Sequence, residues 1–402
     1  MIKRLFTLAF KNIFRARNRT MITIVAYAFG IGLYIFMNSL LTGIYNTSVK
    51  NIIDKDISKI KVMGNDYNLD DVVPLPETYF EYTKYTGISN QYEYSSPDIQ
   101  FIANIITSDI STKAVIRGVE PDKADSVFHY SNDIVEGVWI DRCKDNEVVI
   151  GGRIAHSLNL KLGDMFTLVF KNRDGNFDAF DLDVGGIIST GNPNIDRLSI
   201  FMPLAKTQEF MAANGLISGI SIKTKNHETE KIKINETFTG VSAYTWEDLS
   251  EGFLNLDKMK KGFSSLLIFM IVIVATVGIF NTILLGMFER KREIGMLKAM
   301  GMSRRQIGLL FSIEGGIIGF IGSLGGIAFG LLINLPFVIK GFDLSMYGEM
   351  DIGYPVQDVV KSTWGFEFII PALILGVIIA LIASWYPAMR AAKLEPVKTL
   401  RD

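Results

Sequence analysis

Few residues in this chain have the types and spacing that bond-making chemistry requires. The three histidines, His129, His156 and His227, lie far apart and have no cysteine companions at ligand spacing, so no metal site is expected. The single cysteine, Cys143, excludes an internal disulfide and reads as a small, indifferent side chain. Acidic residues are plentiful between 45 and 261, but none pair at a spacing that suggests acid–base work, and a solvated surface is the expected reading. No Gly-x-x-x-x-Gly-Lys-[Ser/Thr] loop occurs, and the sequence has no Gly-Lys dipeptide at all. Any ATP-driven process must therefore borrow its ATPase from another chain. No catalytic, cofactor-binding or metal residue is assigned, and the chain is not expected to be an enzyme.

Two segments suit mechanical rather than covalent work. Residues 289–306 carry six basic and two acidic residues around a short apolar stripe of Ile294, Leu297 and Met300, the pattern of an amphipathic helix. Gly301 suits its C-terminal stop, and Ser303 with Gln306 has the spacing of a capping box that starts the next helix. Such a helix-turn-helix is rigid and could carry a push from a partner into a membrane span. The following apolar segment holds Gly315/Gly319 and Gly326/Gly330, small-xxx-small pairs that let helices approach closely, within one subunit or between two. Glu314 lies seven residues into that segment, roughly 10 Å at 1.5 Å per residue. Snorkelling or a bond to a neighbouring helix is expected of it, not proton transport.

The elements that position these segments follow from hydropathy. The chain has 402 residues, 49% hydrophobic, with a mean hydropathy of +0.27. That is too apolar for an ordinary soluble protein and too polar for spans alone. Four segments are long enough to cross a bilayer core, which needs about 20 helical residues. They are 21–44, 262–288, 307–339 and 368–389, and Glu314 is the only charged residue in any of them. The first exceeds the apolar run of a cleavable signal and reads as an uncleaved anchor. Residues 1–20 carry six basic residues and no acid, whereas 45–261 carries a net charge of −9 and 340–367 a net charge of −3. With the basic segments 289–306 and 390–402, this partition places both termini in the cytoplasm and 45–261 outside it. The formal net charge of −1 conceals that asymmetry.

Residues 45–261 are enough for one or two compact units of mixed α/β type. Strand-like runs recur at 57–62, 99–106, 113–119, 147–150, 165–170, 179–188, 198–202 and 219–223. A short helix is expected over 153–160, an amphipathic one over 226–238, and a hairpin tip at Asn172–Gly175. Lys258, Lys260 and Lys261 are expected to snorkel at the outer interface. The fold class is thus an α-helical membrane protein with four transmembrane helices plus a large mixed α/β extracytoplasmic domain.

The residues from Arg292 to Gly301, followed by the Glu-Gly-Gly of Glu314–Gly316, resemble the coupling region of FtsX-like ABC permeases. The end from Tyr386 to Arg401 resembles that family's C-terminal signature, and 12–20 is similar to its start. Within the family, Ile116–Pro121, Val135–Trp139, Val149–Ala155 with Leu160–Asp164, and Ile200–Leu204 look more like the lipoprotein-releasing, LolC/LolE-type permeases than the MacB-type exporters.

The resemblance implies a MacB/FtsX-like permease of the inner membrane that pairs with a second permease, like or unlike itself, and with two ABC ATPase subunits. ATP and magnesium would be held by that ATPase and none by this chain. Arg290, Arg292, Glu293, Ile294, Gly295, Leu297, Lys298 and Gly301 would form the coupling helix that docks on it. The substrate would be a lipoprotein, whose acyl chains enter a cavity lined by the first two spans. Phe29, Tyr34, Phe36, Met37, Leu40 and Phe269 are the candidates for that lining. A periplasmic carrier is a further partner, although the short hairpin near 171–177 argues against direct docking by this subunit, and no nucleic acid is expected. The alternatives are export of peptides or toxins, as in the MacB-type branch, and a transmembrane signal transducer that activates a cell-wall hydrolase.

Overall fold

The computed structural model describes residues 2–13, 15, 17–71, 73–108, 110–343 and 359–393. The chain forms two compact units, one from Met1–Ile44, Asp257–Asp343 and Val360–Asp402, the other from Tyr45–Leu256 and Leu344–Val359. Most of the C-terminal signature, 394–402, and much of the loop 340–367 lie outside the described residues.

The N-terminal segment is helical. Helix α1 (Ile2–Ile13) buries Leu5, Ala9 and Ile13, three residues at i, i+4 and i+8, and exposes Phe6, Leu8 and Phe10. Helix α2 (Arg17–Asn51) contains the first apolar run and continues into a π-helical turn at Ile52–Asp56. That turn displaces the strand expected over 57–62, which begins at Ile60.

In the second unit, β1 (Ile60–Gly64), β2 (Phe80–Glu81), α3 (Thr86–Gln91), β3 (Ser95–Ile106), β4 (Ser111–Val119), α4 (Pro121–Phe128), β5 (Ile134–Gly137) and β6 (Glu147–Gly151) follow in order. Then come α5 (Gly152–Leu158), β7 (Met165–Lys171), β8 (Phe177–Ile188), α6 (Pro193–Leu198), β9 (Ser199–Pro203), α7 (Leu204–Phe210), β10 (Leu216–Ile217) and β11 (Gly219–Ile222). Helix α8 (His227–Thr237), β12 (Val241–Thr245) and α9 (Trp246–Leu249) complete it. One ten-stranded sheet runs β12-β1-β11-β3-β4-β9-β6-β8-β5, with β7 pairing β3 and β8. Most pairs are antiparallel, but β4/β9 and β6/β8 are parallel, which requires crossover connections rather than hairpins.

The eight strands read from hydropathy are all present. The sequence reading missed β2, β5, β10 and β12, which are two to five residues long and too short to show a clear alternation. The hairpin tip forms at Asn172, whose side chain and carbonyl close the turn on Asn176 and Gly175. Ile60, Ile99, Ile116, Ile150, Leu168 and Ile200 are fully buried in the main core. Burying each such side chain contributes roughly 1.5–3 kcal/mol relative to leaving it in water.

Helix α10 (Glu251–Glu289) runs unbroken through 261 and 262, where hydropathy alone would end one element and begin the next. Lys261 pairs with Asp257 one turn earlier at 2.7 Å. Then follow α11 (Lys291–Ala299), α12 (Arg304–Ile339) and α13 (Ile369–Lys393). Among the described residues, three helical stretches are long and apolar enough to cross a membrane: Arg17–Asp56, Arg304–Ile339 and Phe366–Lys393. Thr276–Glu289, inside α10, is a shorter apolar helix.

The glycines of α12 face two different helices. Gly315 and Gly319 lie against Ser384 and Ala380 of α13, while Gly326 and Gly330 lie against the backbone carbonyls of Ala28 and Gly32 of α2. A built Cβ would sit 2.7 Å from the Ala28 oxygen and 2.8 Å from the Gly32 oxygen. All four therefore serve close packing within one chain.

Candidate functional site

The corner between α10 and α12 is where the sequence-singled residues converge. Arg290 occupies the N-cap position of α11, and Ser303 begins α12 with a complete capping box to Gln306. Gly301 ends the intervening helix with φ +97°, a left-handed conformation that L side chains adopt only under strain. Its N–H donates to the Lys298 carbonyl and that of Met302 to the Leu297 carbonyl, satisfying the last turn.

Helix α11 has two unlike faces. Ile294 and Gly295 are buried and Leu297 half-buried, but Met300, expected on that face, is 75% exposed. The helix is too short for the stripe to reach it, because the chain turns at Gly301. Met300 instead stands with Arg292, Met296 and Ala299 on the open side. The buried side is tied down at both ends. Glu293 pairs with Arg15, and the Lys298 Nζ donates to the carbonyl of Ala392 near the end of α13 at 2.7 Å.

Glu314 is the centre of the corner. It is 3% exposed, and both its oxygens are occupied. Arg290 donates from Nη1 at 3.0 Å and Nη2 at 2.6 Å, and the Asn12 amide donates at 2.6 Å. The guanidinium lies over the ring of Phe311, 5.1 Å from its centroid. A fork-to-fork pair of this kind fixes direction as well as charge. Of the two roles expected for Glu314, the bond to neighbouring elements is the one it fills. Arg19 pairs with Glu289 at 2.8 Å, and these groups line a polar cleft of about 170 Å³ with Thr282 and Gly286. Asn12, Arg15 and Arg19 fall in the segment 12–20 that resembles the family's start, but nothing in the sequence showed their partners, which lie about 270 to 300 residues away.

The candidates for a substrate cavity are more dispersed. Phe29 and Phe36 pack on Phe329 and Phe337 of α12, with ring centroids 5.7 and 5.1 Å apart. Tyr34, Met37 and Leu40 are half-buried, and Phe29 and Phe269 are largely exposed.

In the sheet unit, most acidic residues lie at least partly in solvent as expected, but a few do not. Asp98 and Asp196 are buried, Asp56 is mostly covered, and Asp133 is partly covered. Asp98 accepts from Lys61 at 2.8 Å, Asp56 from Arg117 at 2.7 Å, and Asp133 pairs with Lys55. Burial pushes the Asp133 and Asp196 carboxyls above their ordinary value, against the bonds from Lys55 and Thr190. Sequence could not show this, since each partner is supplied by a distant element or a turn.

His227, Glu228 and Glu247 come within 4.8 Å of one another through their ligand atoms. The His227 Nε2 lies 3.2 Å from Glu247, but its Nδ1 is buried without a hydrogen-bond partner. A ligating imidazole is ordinarily oriented by a bond to that second nitrogen, and what the group forms is a His227–Glu247 hydrogen bond. The Cys143 thiol is pushed up to about 11 by burial and by the nearby carboxylates of Glu147 and Asp141.

These features define a membrane permease subunit with a large sheet domain, and the chain belongs to the MacB/FtsX-like permease family of ABC transporters. Residues 20–233 match the MacB-like periplasmic core domain and residues 265–396 the FtsX-like permease C-terminal domain. The family implies an ATPase partner and a permease partner.

Among individual relatives, the chain is 27% identical to an uncharacterised ABC transporter permease of Methanocaldococcus jannaschii, over 99% of this chain and 97% of that one. It is 23% identical to the lipoprotein-releasing system transmembrane protein LolC of Xylella fastidiosa, over 72% and 73% of the two chains. It is 24% identical to LolE of Haemophilus influenzae, over 76% of each. The periplasmic region of MacB from Actinobacillus actinomycetemcomitans aligns with 51% of this chain and 96% of its own at 13% identity, with a TM-score of 0.34.

Proposed function

We propose that this chain is the permease subunit of an ATP-driven transporter that extracts lipoproteins from the outer leaflet of the inner membrane for delivery toward the outer membrane. It crosses the membrane four times, with α10 supplying the second span, both termini in the cytoplasm and the sheet unit in the periplasm. A partner ATPase docks on the open face of α11, and ATP binding draws the two permeases together. The substrate's acyl chains are held by the first two spans without crossing the membrane.

The observation that carries the mechanical part is the two-faced α11. One side is anchored to α12 and α13, while Arg292, Met296 and Met300 are presented outward. The lipoprotein part rests on the likeness to LolC and LolE across some three quarters of the chain. The short β7/β8 tip disfavours carrier recruitment by this subunit. Export of peptides or toxins, and transduction to a cell-wall hydrolase, are the competing readings.

The test is to co-purify the full chain with its ATPase and reconstitute the complex in liposomes with an acylated lipoprotein. ATP-dependent transfer to a soluble carrier is then measured. Release that stops when Met296 is replaced by Glu, with the unfolding midpoint unchanged, supports the reading. ATP hydrolysis without release for any acylated substrate overturns it.

A further inference from the structure

We infer that Glu314 is a positioning residue that locks the N-terminal helix α1 and the α10–α11 corner into one body with α12, making α1 a working part of the coupling apparatus. The inference rests on the coupling reading of α11. It adds that a push on α11 is shared with α1 through the buried Glu314 carboxylate.

The argument begins with what holds α1. Its apolar side supplies Leu5, Ala9 and Ile13, a non-directional contact along which a helix can slide. A directional bond comes from Asn12 at its end, which donates to the same Glu314 Oε1 that accepts from the Arg290 Nη1. Further on, Arg15 pairs with Glu293 and Arg19 with Glu289. Arg15 is 65% and Glu293 38% exposed, and Glu289 is 60% exposed. Exposed pairs hold geometry weakly because solvent screens them and long side chains resist ordering.

Glu314, at 4% side-chain exposure beside Arg290 at 15%, has no such alternative partner in water. Arg290 is also the N-cap residue of α11, and its Nε donates to the Gly286 carbonyl of α10 at 3.2 Å, which holds the guanidinium at the corner where the two helices meet. Moving α11 therefore drags Glu314, and Glu314 drags Asn12.

The experiment places spin labels at Leu8, exposed on α1, and at Phe288, exposed at the end of α10 just ahead of α11, in the full-length complex with its ATPase and with Cys143→Ser as background. The distance is measured by pulsed electron spin resonance with and without a non-hydrolysed ATP analogue. In the otherwise unchanged chain we expect one narrow distance, the same in both states. Glu314→Gln, which keeps the shape and loses the charge, is expected to broaden it at least two-fold once nucleotide binds, while the ATPase still co-purifies. Asn12→Ala leaves the Arg290–Glu314 pair intact and serves should the first variant fail to fold. It is expected to broaden the distance similarly, and Asn12→Gln to restore it partly.

A narrow distance in Asn12→Ala overturns the inference, as does a distance in the parent that changes with nucleotide. No substrate enters this measurement. A locked α1 without lipoprotein release would therefore refute the proposed substrate and leave the lock standing.

Discussion

The neighbouring glycines Gly325 and Gly326 should respond to the same substitution with opposite signs. Both lie inside α12, where alanine is favoured over glycine by roughly 0.5–1 kcal/mol because it loses less backbone freedom. At Gly325 the new Cβ meets only the Ala28 Cβ at 3.5 Å, an ordinary van der Waals contact. Gly325→Ala is therefore expected to stabilise the chain by about that amount. At Gly326 the new Cβ sits 2.7 Å from the Ala28 carbonyl oxygen and 2.7 Å from the Ile31 Cβ. Neither atom is the free end of a flexible chain, so α2 and α12 must move apart, and overpacking of this kind costs typically 1–3 kcal/mol. After the propensity gain, Gly326→Ala is expected to destabilise by about 0–2 kcal/mol. The two variants should then differ by roughly 1–3 kcal/mol, read as the shift in thermal or denaturant midpoint of the detergent-solubilised chain. Equal effects of either sign would refute the claim that the face of α12 toward α2 is set by glycine at 326 and not at 325.

Met296→Glu or Met300→Glu, on the open side of α11, should reduce co-purification of the ATPase at least ten-fold without moving the unfolding midpoint. A lowered midpoint would show that these residues are packed within the chain. Asp248 is a carboxylate that burial alone would raise, but bonds from Lys231 and from the N–H and hydroxyl of Thr245 hold it below its ordinary value. A depressed folded-state pKa contributes stability above the ordinary carboxylate range, and that stability is lost as pH falls through the folded value. Asp248→Asn should therefore lower the midpoint at pH 7 and by less near pH 3, as a pH series of melts would show. Cys143, its thiol moved from an ordinary value near 9 to about 11, should be alkylated about 100-fold more slowly than a free thiol at pH 7. Alkylation at the free-thiol rate would contradict its burial.

The local features of this protein were legible because local physics fixes them. Ser303 and Gln306 cap α12, and Gly301 ends α11 in the left-handed conformation that glycine tolerates best. Alternating apolar residues gave eight strands of the sheet, and the glycine pairs of α12 announced close approach before their neighbours were known. What sequence left open was always a matter of partners. It could not say that Gly315 meets α13 while Gly326 meets α2, or that Met300 turns outward. Nor could it show that Asp56, Asp98 and Asp133 leave solvent for Arg117, Lys61 and Lys55. The corner itself is the clearest case. Glu314 was visible as a lone charge in an apolar run, but the cost of burying it is met by Asn12 and Arg290, respectively 302 and 24 residues away. A helix's own periodicity reports which side is apolar, whereas only the packed chain decides which distant charge a buried carboxylate will find.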